Sequence, residues 1–322
     1  LYRDYLHLGR MDYLYDKVGL YDTLKPIMQG TESTAAIAPV HAEVLDIEAH
    51  MLHFLENHDE QRIASPDFAG DAHKARPAMV VSALLSRSPT MVYFGQAVGE
   101  PGAGDAGFGN PTRTTIFDYW GVPAHQRWMN DGKFDGGRLS DGERQLHDFY
   151  VRLLNMSATH KAMQGEYAPI DTHNDKLFAF ARWHRDEQLI VISNFDDTET
   201  HALRLDIPAT LLREWQLGDG RYVLGEQLYG DDTHRLVVDG GSGYVNIELE
   251  PLESFVLSVG AADIQRHNHF ASQFVGSRHV DVWLPRGYSN SDRDYKVLYF
   301  HDGQNLFNPE WVYYTQTDWD ID

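Results

Sequence analysis

Residues 51–62 read MLHFLENHDEQR, and this stretch decides the fold. Its first part, residues 51–55, is a short apolar run typical of a buried β-strand, and a polar group follows it. Residues 73–87 then place apolar side chains at helical spacing, and residues 90–94 form a second apolar strand. Strand, helix and strand in this order form the unit from which parallel α/β sheets are built.

The chain downstream of this unit contains a long loop and a well-marked helix. Residues 96–139 are rich in glycine but also carry several aromatic side chains, which argue against disorder. Ser140 and Glu143 then have the spacing of a capping box, and an apolar face follows at helical spacing. We therefore predict that a helix begins at Ser140.

The predicted fold class is α/β plus all-β, in three consecutive regions. Residues 1–163 alternate helix-like and strand-like segments, whereas residues 164–260 are nearly all short strands and turns, as in an antiparallel β-sandwich. Strand patterns return in residues 261–322. Four strands of the β-rich region are predicted at residues 177–181, 189–192, 244–249 and 255–259.

Composition excludes several classes of function. The 27 Lys and Arg against 48 Asp and Glu give a formal net charge of −21, which repels nucleic acid and anionic membranes but not a neutral sugar. The chain has no cysteine, so disulfides, thiolate metal sites and Cys nucleophiles are excluded. It also has no apolar run of the roughly 18 residues or more that a membrane span requires.

The tripeptide Asn57-His58-Asp59 is the candidate for chemistry. It follows a predicted strand of a parallel α/β pattern, and in a (β/α)8 barrel the active site forms at the carboxyl ends of the strands. In glycoside hydrolysis, a carboxylate at this position can stabilise the oxocarbenium-like transition state, and an imidazole can bind sugar hydroxyls. Asn and Asp are also good helix N-caps, so a purely structural cap is the alternative interpretation.

A wider string gives these residues a family context. Residues 54–62, FLENHDEQR, resemble the fourth signature region of glycoside hydrolase family 13, the alpha-amylases, whose pattern is F-x-x-N-H-D. Three further strings resemble this family in the same order: residues 11–22, 91–100 and 113–120. The chain departs from the family at Ala97, where a Glu is more frequent, so a carboxylate role at that position is in doubt.

The resemblance implies a retaining mechanism on α-glucans such as starch or maltooligosaccharides. One Asp attacks the anomeric carbon, one Glu protonates the leaving oxygen, and a second Asp stabilises the transition state. The resemblance assigns this last role to Asp59, with His58 beside it. Asn57 is expected to orient the turn and contact substrate, and Tyr93 either stacks on a sugar ring or belongs to the core. Arg62 is either an orienting partner at the substrate site or an exposed helix residue.

The resemblance also implies that the chain is an internal piece of a longer protein. The nucleophile Asp and the acid/base Glu belong to barrel strands that precede Leu1 in the family order. Residues 1–163 are therefore expected to be the C-terminal portion of a (β/α)8 barrel, inactive and poorly stable alone because the sheet edge stays open. Calcium binding by the full-length protein and a bacterial, periplasmic or extracellular location are further implications.

The last region resembles a different family. Residues 280–288 and 297–307 resemble the start of esterases of the α/β-hydrolase fold. The resemblance implies that a turn made of His301, Asp302, Gly303 and Gln304 lends backbone N–H groups to an oxyanion hole. An ordinary strand-end turn is the alternative. No G-x-S-x-G nucleophile elbow occurs in the chain, so this segment is expected to be a truncated α/β-hydrolase-like domain.

Three functions remain open from the sequence. The leading one is a fragment of a retaining alpha-amylase-type glycoside hydrolase. The others are a non-catalytic carbohydrate-binding remnant and part of a carboxylic esterase. No metal site is predicted, because His267 and His269 have no third ligand at a diagnostic spacing.

Overall fold

A computed structural model describes residues 1–66, 68–102, 122–185, 187–230, 233–260, 263–271, 273–284 and 296–299. The chain divides into two compact units, Leu1–Val259 and Gly260–Asp322. None of the helices in the described residues combines the length and the apolar character that a membrane crossing requires.

The α-helices and β-strands are numbered in chain order. The helices are α1 (Tyr2–His7), α2 (Asp22–Met28), α3 (Ile37–Ala42), α4 (Arg76–Leu84), α5 (Pro123–Met129), α6 (Asp141–Thr159) and α7 (Ala209–Glu214). The strands of the first unit are β1 (Leu14–Tyr15), β2 (Met51–Phe54), β3 (Thr90–Met91), β4 (Glu166–Ile170), β5 (Leu177–His184), β6 (Glu187–Asn194), β7 (His201–Ile207), β8 (Gly220–Glu226), β9 (Thr233–Asp239), β10 (Ser242–Leu249) and β11 (Ser254–Val259). The second unit contains β12 (Asp263–Phe270) and β13 (Arg278–Leu284).

A small parallel sheet contains the predicted strand–helix–strand unit. Strand β2 pairs in parallel with β1 on one side and with β3 on the other, and α4 lies between β2 and β3 in the chain. The prediction of this unit is confirmed, although α4 is shorter than the 73–87 pattern suggested. Pro77 near its start is compatible with a first helical turn, and a short 3₁₀ turn over Ala72–Ala75 precedes it.

The β-rich region is one antiparallel sheet with the strand order β4-β5-β6-β11-β8-β9-β10-β7. Side chains from β5 and from β7, which lie far apart in this order, share one apolar core, so the sheet curls around it. Helix α7 contributes Leu211 and Leu212 to the same core. The predicted sandwich is therefore a continuous curled sheet, and all four predicted strands are present.

Strand alternation explains how this sheet packs on both faces. Phe178 and Phe180 of β5 belong to the core shared with α4 and α6, whereas Ala179 and Ala181 belong to the core inside the curled sheet. Strand β6 divides its apolar side chains in the same way. Because successive side chains of a strand point to opposite faces, one near-continuous apolar run supplies two cores. The predicted boundary between residues 163 and 164 thus lies inside one compact unit.

The capping box of the long helix is confirmed. Ser140 accepts a hydrogen bond from the Glu143 backbone, the Glu143 side chain accepts one from the Ser140 backbone, and α6 follows. Its buried face consists of Leu146, Phe149, Tyr150, Leu153 and Met156.

The second unit contains an antiparallel hairpin in which β12 pairs with β13 from Asp263↔Leu284 to Phe270↔Arg278. Residues 296–299 have no regular secondary structure. The predicted oxyanion turn, His301 to Gln304, lies outside the described residues, as does the amylase-like string at residues 113–120.

Candidate functional site

The Asn57-His58-Asp59 turn begins three residues after the end of β2. The Asn57 side-chain oxygen accepts hydrogen bonds from the backbone N–H groups of Asp59 at 2.8 Å and Glu60 at 2.9 Å. Asn57 is itself buried. An N-cap makes similar bonds, but no helix follows here, since the next helical turn begins at Ala72. Asn57 therefore caps a tight turn and not a helix.

The turn presents His58 and Asp59 to solvent. Their side chains are 51% and 66% exposed, and His58 Nε2 lies 3.3 Å from Asp59 Oδ2. Both groups are within reach of a ligand at the carboxyl edge of the parallel sheet. The sheet's central strand thus places a carboxylate and an imidazole side by side in an accessible position.

A buried ion pair lies directly beneath this turn. Arg62 Nη1 donates to Glu56 Oε2 at 2.8 Å, and the exposed fraction of the two side chains is 0% and 3%. The Ile63 N–H donates to the other Glu56 oxygen at 2.7 Å. Burial raises the pKa of the Glu56 carboxyl, and the Arg62 charge opposes that rise. The expectation of an exposed helix residue at Arg62 is wrong, because Glu56 and the loop after β3 enclose its side chain.

The loop after β3 is attached to the same guanidinium. Arg62 Nη1 also donates to the Phe94 carbonyl oxygen at 2.8 Å, and its carbon Cζ lies 4.5 Å from the Tyr93 ring centroid and 4.8 Å from that of Phe94. Tyr93 is partly buried, and its N–H donates to Gln96 Oε1 at 3.1 Å. Tyr93 thus contacts the Asp59 loop through Arg62.

A second carboxylate of the turn is held by a cationic cluster that the sequence analysis did not single out. Glu60 accepts a hydrogen bond from the Tyr21 hydroxyl at 2.9 Å, and the Lys17 and Lys25 ammonium groups lie 3.3 and 3.8 Å from its carboxylate. The Tyr21 ring stacks on Phe54 with centroids 4.8 Å apart. Burial raises the pKa of the Tyr21 hydroxyl, with Glu60 adding to the rise. These contacts anchor the turn to the segment after β1.

Glu100 is a buried carboxylate that the sequence analysis also missed. It is fully buried and accepts hydrogen bonds from the backbone N–H groups of Gly102, Ala124 and His125. Burial raises its pKa, and these hydrogen bonds oppose the rise. Backbone N–H groups occupy both carboxylate oxygens of Glu100. Glu100 therefore does not replace the carboxylate that is absent at position 97.

No metal centre is formed in the part of the chain that the structure describes. Within these residues, no three His, Asp or Glu side chains are placed to hold a metal ion. His267 and His269 lie on β12.

Comparison with known proteins assigns the class of the fold. Residues 167–260 match the family model of the alpha amylase C-terminal all-beta domain. No curated protein sequence matches the chain. The β-rich region after the parallel sheet is accordingly similar to an alpha amylase C-terminal all-beta domain.

Solved structures agree with this class. A noncanonic maltogenic alpha-amylase, AmyB from Thermotoga neapolitana, is similar with a TM-score of 0.55 at 15% identity, over 79% of this chain and 52% of that one. AmyP in complex with maltose gives a TM-score of 0.53 at 19% identity, over 77% and 50%. The alpha-amylase from Geobacillus thermoleovorans complexed with acarbose gives 0.53 at 16% identity, over 74% and 46%. The chain spans about half the length of these structures.

Proposed function

We propose that this chain is a fragment of a retaining alpha-amylase-type glycoside hydrolase that acts on α-glucans or maltooligosaccharides. Residues 1–163 would complete a (β/α)8 barrel together with residues outside this sequence. Asp59 is the transition-state stabiliser, and His58 binds the reacting sugar beside it. The nucleophile Asp and the acid/base Glu are supplied by the rest of the protein.

One observation carries the proposal. Asp59 is exposed in the turn that follows the central strand of a parallel sheet, and helix α4, which comes after that turn, shares a core with the region that resembles an alpha amylase C-terminal all-beta domain. In parallel α/β barrels the carboxyl ends of the strands form the active face. The crystallised neighbours with maltose and acarbose support a maltooligosaccharide as the substrate.

The chemistry requires Asp59 to be anionic and close to the anomeric centre. An oxocarbenium-like transition state develops positive charge on the sugar ring, and a carboxylate beside it lowers its energy. The Asn57 turn holds the Asp59 backbone, while the exposed side chain remains accessible to the sugar. His58 adds a hydrogen-bonding group on the same edge.

One face of the parallel sheet is partly exposed, and this exposure is consistent with the proposed partial barrel. Strand pairing places Tyr15 beside Leu52, and Met91 beside Phe54, on one face of the sheet. His53 lies on the opposite face, where its imidazole contacts α4. Tyr15 is 42% exposed, and Leu52 and Met91 are partly exposed. In a closed barrel this inward face is filled by side chains from the other strands.

The test is an Asp59→Asn variant of the full-length protein, assayed on a maltooligosaccharide. The exposed Asp206 on β7, which is bound to Arg204, provides the control Asp206→Asn. We expect kcat to fall by about 10²-fold or more for Asp59→Asn, as when one transition-state stabilising group is removed, and to be unchanged in the control. Binding without turnover by the unaltered protein would instead indicate the carbohydrate-binding remnant.

For residues 261–322 we propose the start of an esterase-like domain, which rests on the sequence strings alone. Hydrolysis of p-nitrophenyl acetate by the full-length protein is the expected result. We also propose a periplasmic or extracellular location, which fractionation of the source cells tests directly.

A further inference from the structure

We propose that the buried Glu56–Arg62 pair is a positioning device that holds Asp59 at the catalytic edge and couples it to the loop after β3. This inference rests on the proposed function. Arg62 and Glu56 do not touch the sugar. They act through the turn above them, so that their loss changes turnover and not only stability.

Glu56 closes the loop that carries Asp59. The loop runs from Glu56 at its start to Arg62 and Ile63 at its end. Both carboxylate oxygens of Glu56 are used, one by the Arg62 guanidinium at 2.8 Å and one by the Ile63 N–H at 2.7 Å. The two ends of the segment are thereby joined, and Asp59 lies midway between them. The position of Asp59 thus depends on a bond formed several residues away on each side.

Arg62 also connects the Asp59 loop to the loop after β3. The nitrogen of Arg62 that binds Glu56 also donates to the Phe94 carbonyl oxygen at 2.8 Å. The guanidinium packs on the Tyr93 and Phe94 rings at 4.5 and 4.8 Å. One planar cation therefore contacts the loops that follow both β2 and β3. A lysine ammonium lacks the planar surface for these ring contacts, so Arg62→Lys is not a neutral change.

Both members of the Glu56–Arg62 pair are buried. A buried ion pair is sensitive to the loss of one partner, because the other charge is then left without compensation. Burial raises the pKa of Glu56 even with Arg62 present. Arg62 opposes that rise, so without it the ionised form of the carboxyl is disfavoured further and the bond that closes the loop is lost. The turn that carries Asp59 would then lose its fixed distance from the sheet.

A second fully buried arginine offers a matched control. Arg182 on β5 has an exposed fraction of 0%, like Arg62. It donates to backbone carbonyl oxygens, none of them in the Asp59 loop, at Leu85, Ala162, Met163 and Gly165. Removing Arg182 should lower stability through the same loss of buried hydrogen bonds, with no effect on the geometry of Asp59.

The experiment compares Arg62→Lys, Arg62→Ala and Glu56→Gln with Arg182→Lys and Arg182→Ala in the full-length protein. Turnover of a maltooligosaccharide is expressed per folded molecule, with kcat and KM separated and Tm measured in parallel. We expect kcat to fall by about 10²-fold for the Arg62 and Glu56 variants, the effect of a displacement of roughly 1 Å, with little change in KM. We expect unchanged kcat and a lower Tm for the Arg182 variants.

Chemical rescue of kcat distinguishes a positioning role of Arg62 from a purely structural one. Added guanidinium ion at millimolar concentration should restore part of kcat in Arg62→Ala and none in Arg182→Ala. If Arg62→Ala does not fold, Glu56→Gln decides the question, because it keeps the side-chain size and the acceptor for Ile63.

Two outcomes separate the two proposals. Unchanged kcat per folded molecule in all Arg62 and Glu56 variants overturns the positioning role. Full activity of Asp59→Asn overturns the proposed function itself, whatever the arginine variants do.

Discussion

The guanidinium of Arg182 on β5 donates a 2.9 Å hydrogen bond to the carbonyl oxygen of Leu85, the residue that follows α4. A second bond of 2.7 Å reaches the Met163 carbonyl oxygen, just before β4. One buried side chain therefore connects the antiparallel sheet to the helical layer over the parallel sheet. Burial lowers the pKa of this guanidinium to about 10.

Replacing Arg182 by Met should destabilise the full-length protein. The substitution fits the apolar surroundings but leaves several buried carbonyl oxygens without a donor, each of which costs about 1–3 kcal/mol. We expect a loss of about 3 kcal/mol in the free energy of unfolding, measured by urea denaturation. The exposed Arg204, replaced by Met, should change it by less than about 1 kcal/mol. Equal effects of the two substitutions would contradict the connecting role of Arg182.

Phe180 on β5 should be among the most sensitive core positions. Its side chain is fully buried, and it packs in the core shared by the sheet, α4 and α6. Phe180→Ala should lower the free energy of unfolding by about 3–5 kcal/mol, because it removes apolar contacts and leaves a cavity. Val151→Ala on the exposed side of α6 is the control and should have a small effect. A similar shift in Tm for both variants would argue against a shared core.

Gly95 should not tolerate a side chain. It adopts a φ of +80°, and a Cβ there would lie 2.9 Å from the Glu100 Cβ. Gly230 has a similar φ of +83°, but a Cβ there would meet no atom of the described residues within 4 Å. Gly230→Ala should therefore cost only the left-handed backbone conformation, about 1–2 kcal/mol. Gly95→Ala should cost about 1–3 kcal/mol more because of the overpacking. Chemical denaturation of the pair measures the difference, and equal values would exclude the close approach.

Stability should fall as the pH drops below about 6.5, because two histidines are buried in the neutral form. Burial lowers the pKa of His41 to about 3 and lowers the pKa of His53 as well. The charged and titratable groups around His41 are Glu48, Tyr167, His53 and Arg182. Glu48 also pairs with Arg87 at 2.6 Å, so its charge is already compensated in part.

The sign follows from proton binding. Between pH 3 and 6.5 the unfolded chain binds a proton at His41 that the folded chain excludes, so acidification favours unfolding. Each such histidine contributes a slope of up to about 1.4 kcal/mol per pH unit below its unfolded pKa. We expect the free energy of unfolding to decline from pH 7 to pH 5.5, and His41→Gln to reduce that decline. An identical pH dependence in the variant would show that His41 is not the group responsible.

Local patterns in the sequence predicted the elements well. The alternation of residues 177–181 and 189–192 predicted β5 and β6, and Ser140 with Glu143 predicted the start of α6. These signals depend on neighbours one to four residues apart, which share a strand face or a helix turn. The Asn57 turn could also be predicted from the sequence, because its hydrogen bonds join only Asn57 to Asp59 and Glu60.

The burial of Arg62 could not be predicted in the same way. An arginine shortly after an apolar strand is usually exposed, and the local pattern around Arg62 resembles a solvated segment. Its partner Glu56 is close in the chain, but the Phe94 carbonyl oxygen is 32 residues away. Glu100 was missed for the same reason, since its partner at Ala124 lies 24 residues further on.

By itself the sequence determined the strand–helix–strand unit, four strands of the curled sheet and the turn that carries Asp59. These features follow from hydrophobic periodicity and turn chemistry, which operate over short stretches of chain. Only the tertiary structure decided which charged side chains are buried and what holds them, at Glu56, Arg62, Glu100 and Arg182. A buried charge is stable only where partners from distant segments converge on it, and that convergence is a property of the packed fold.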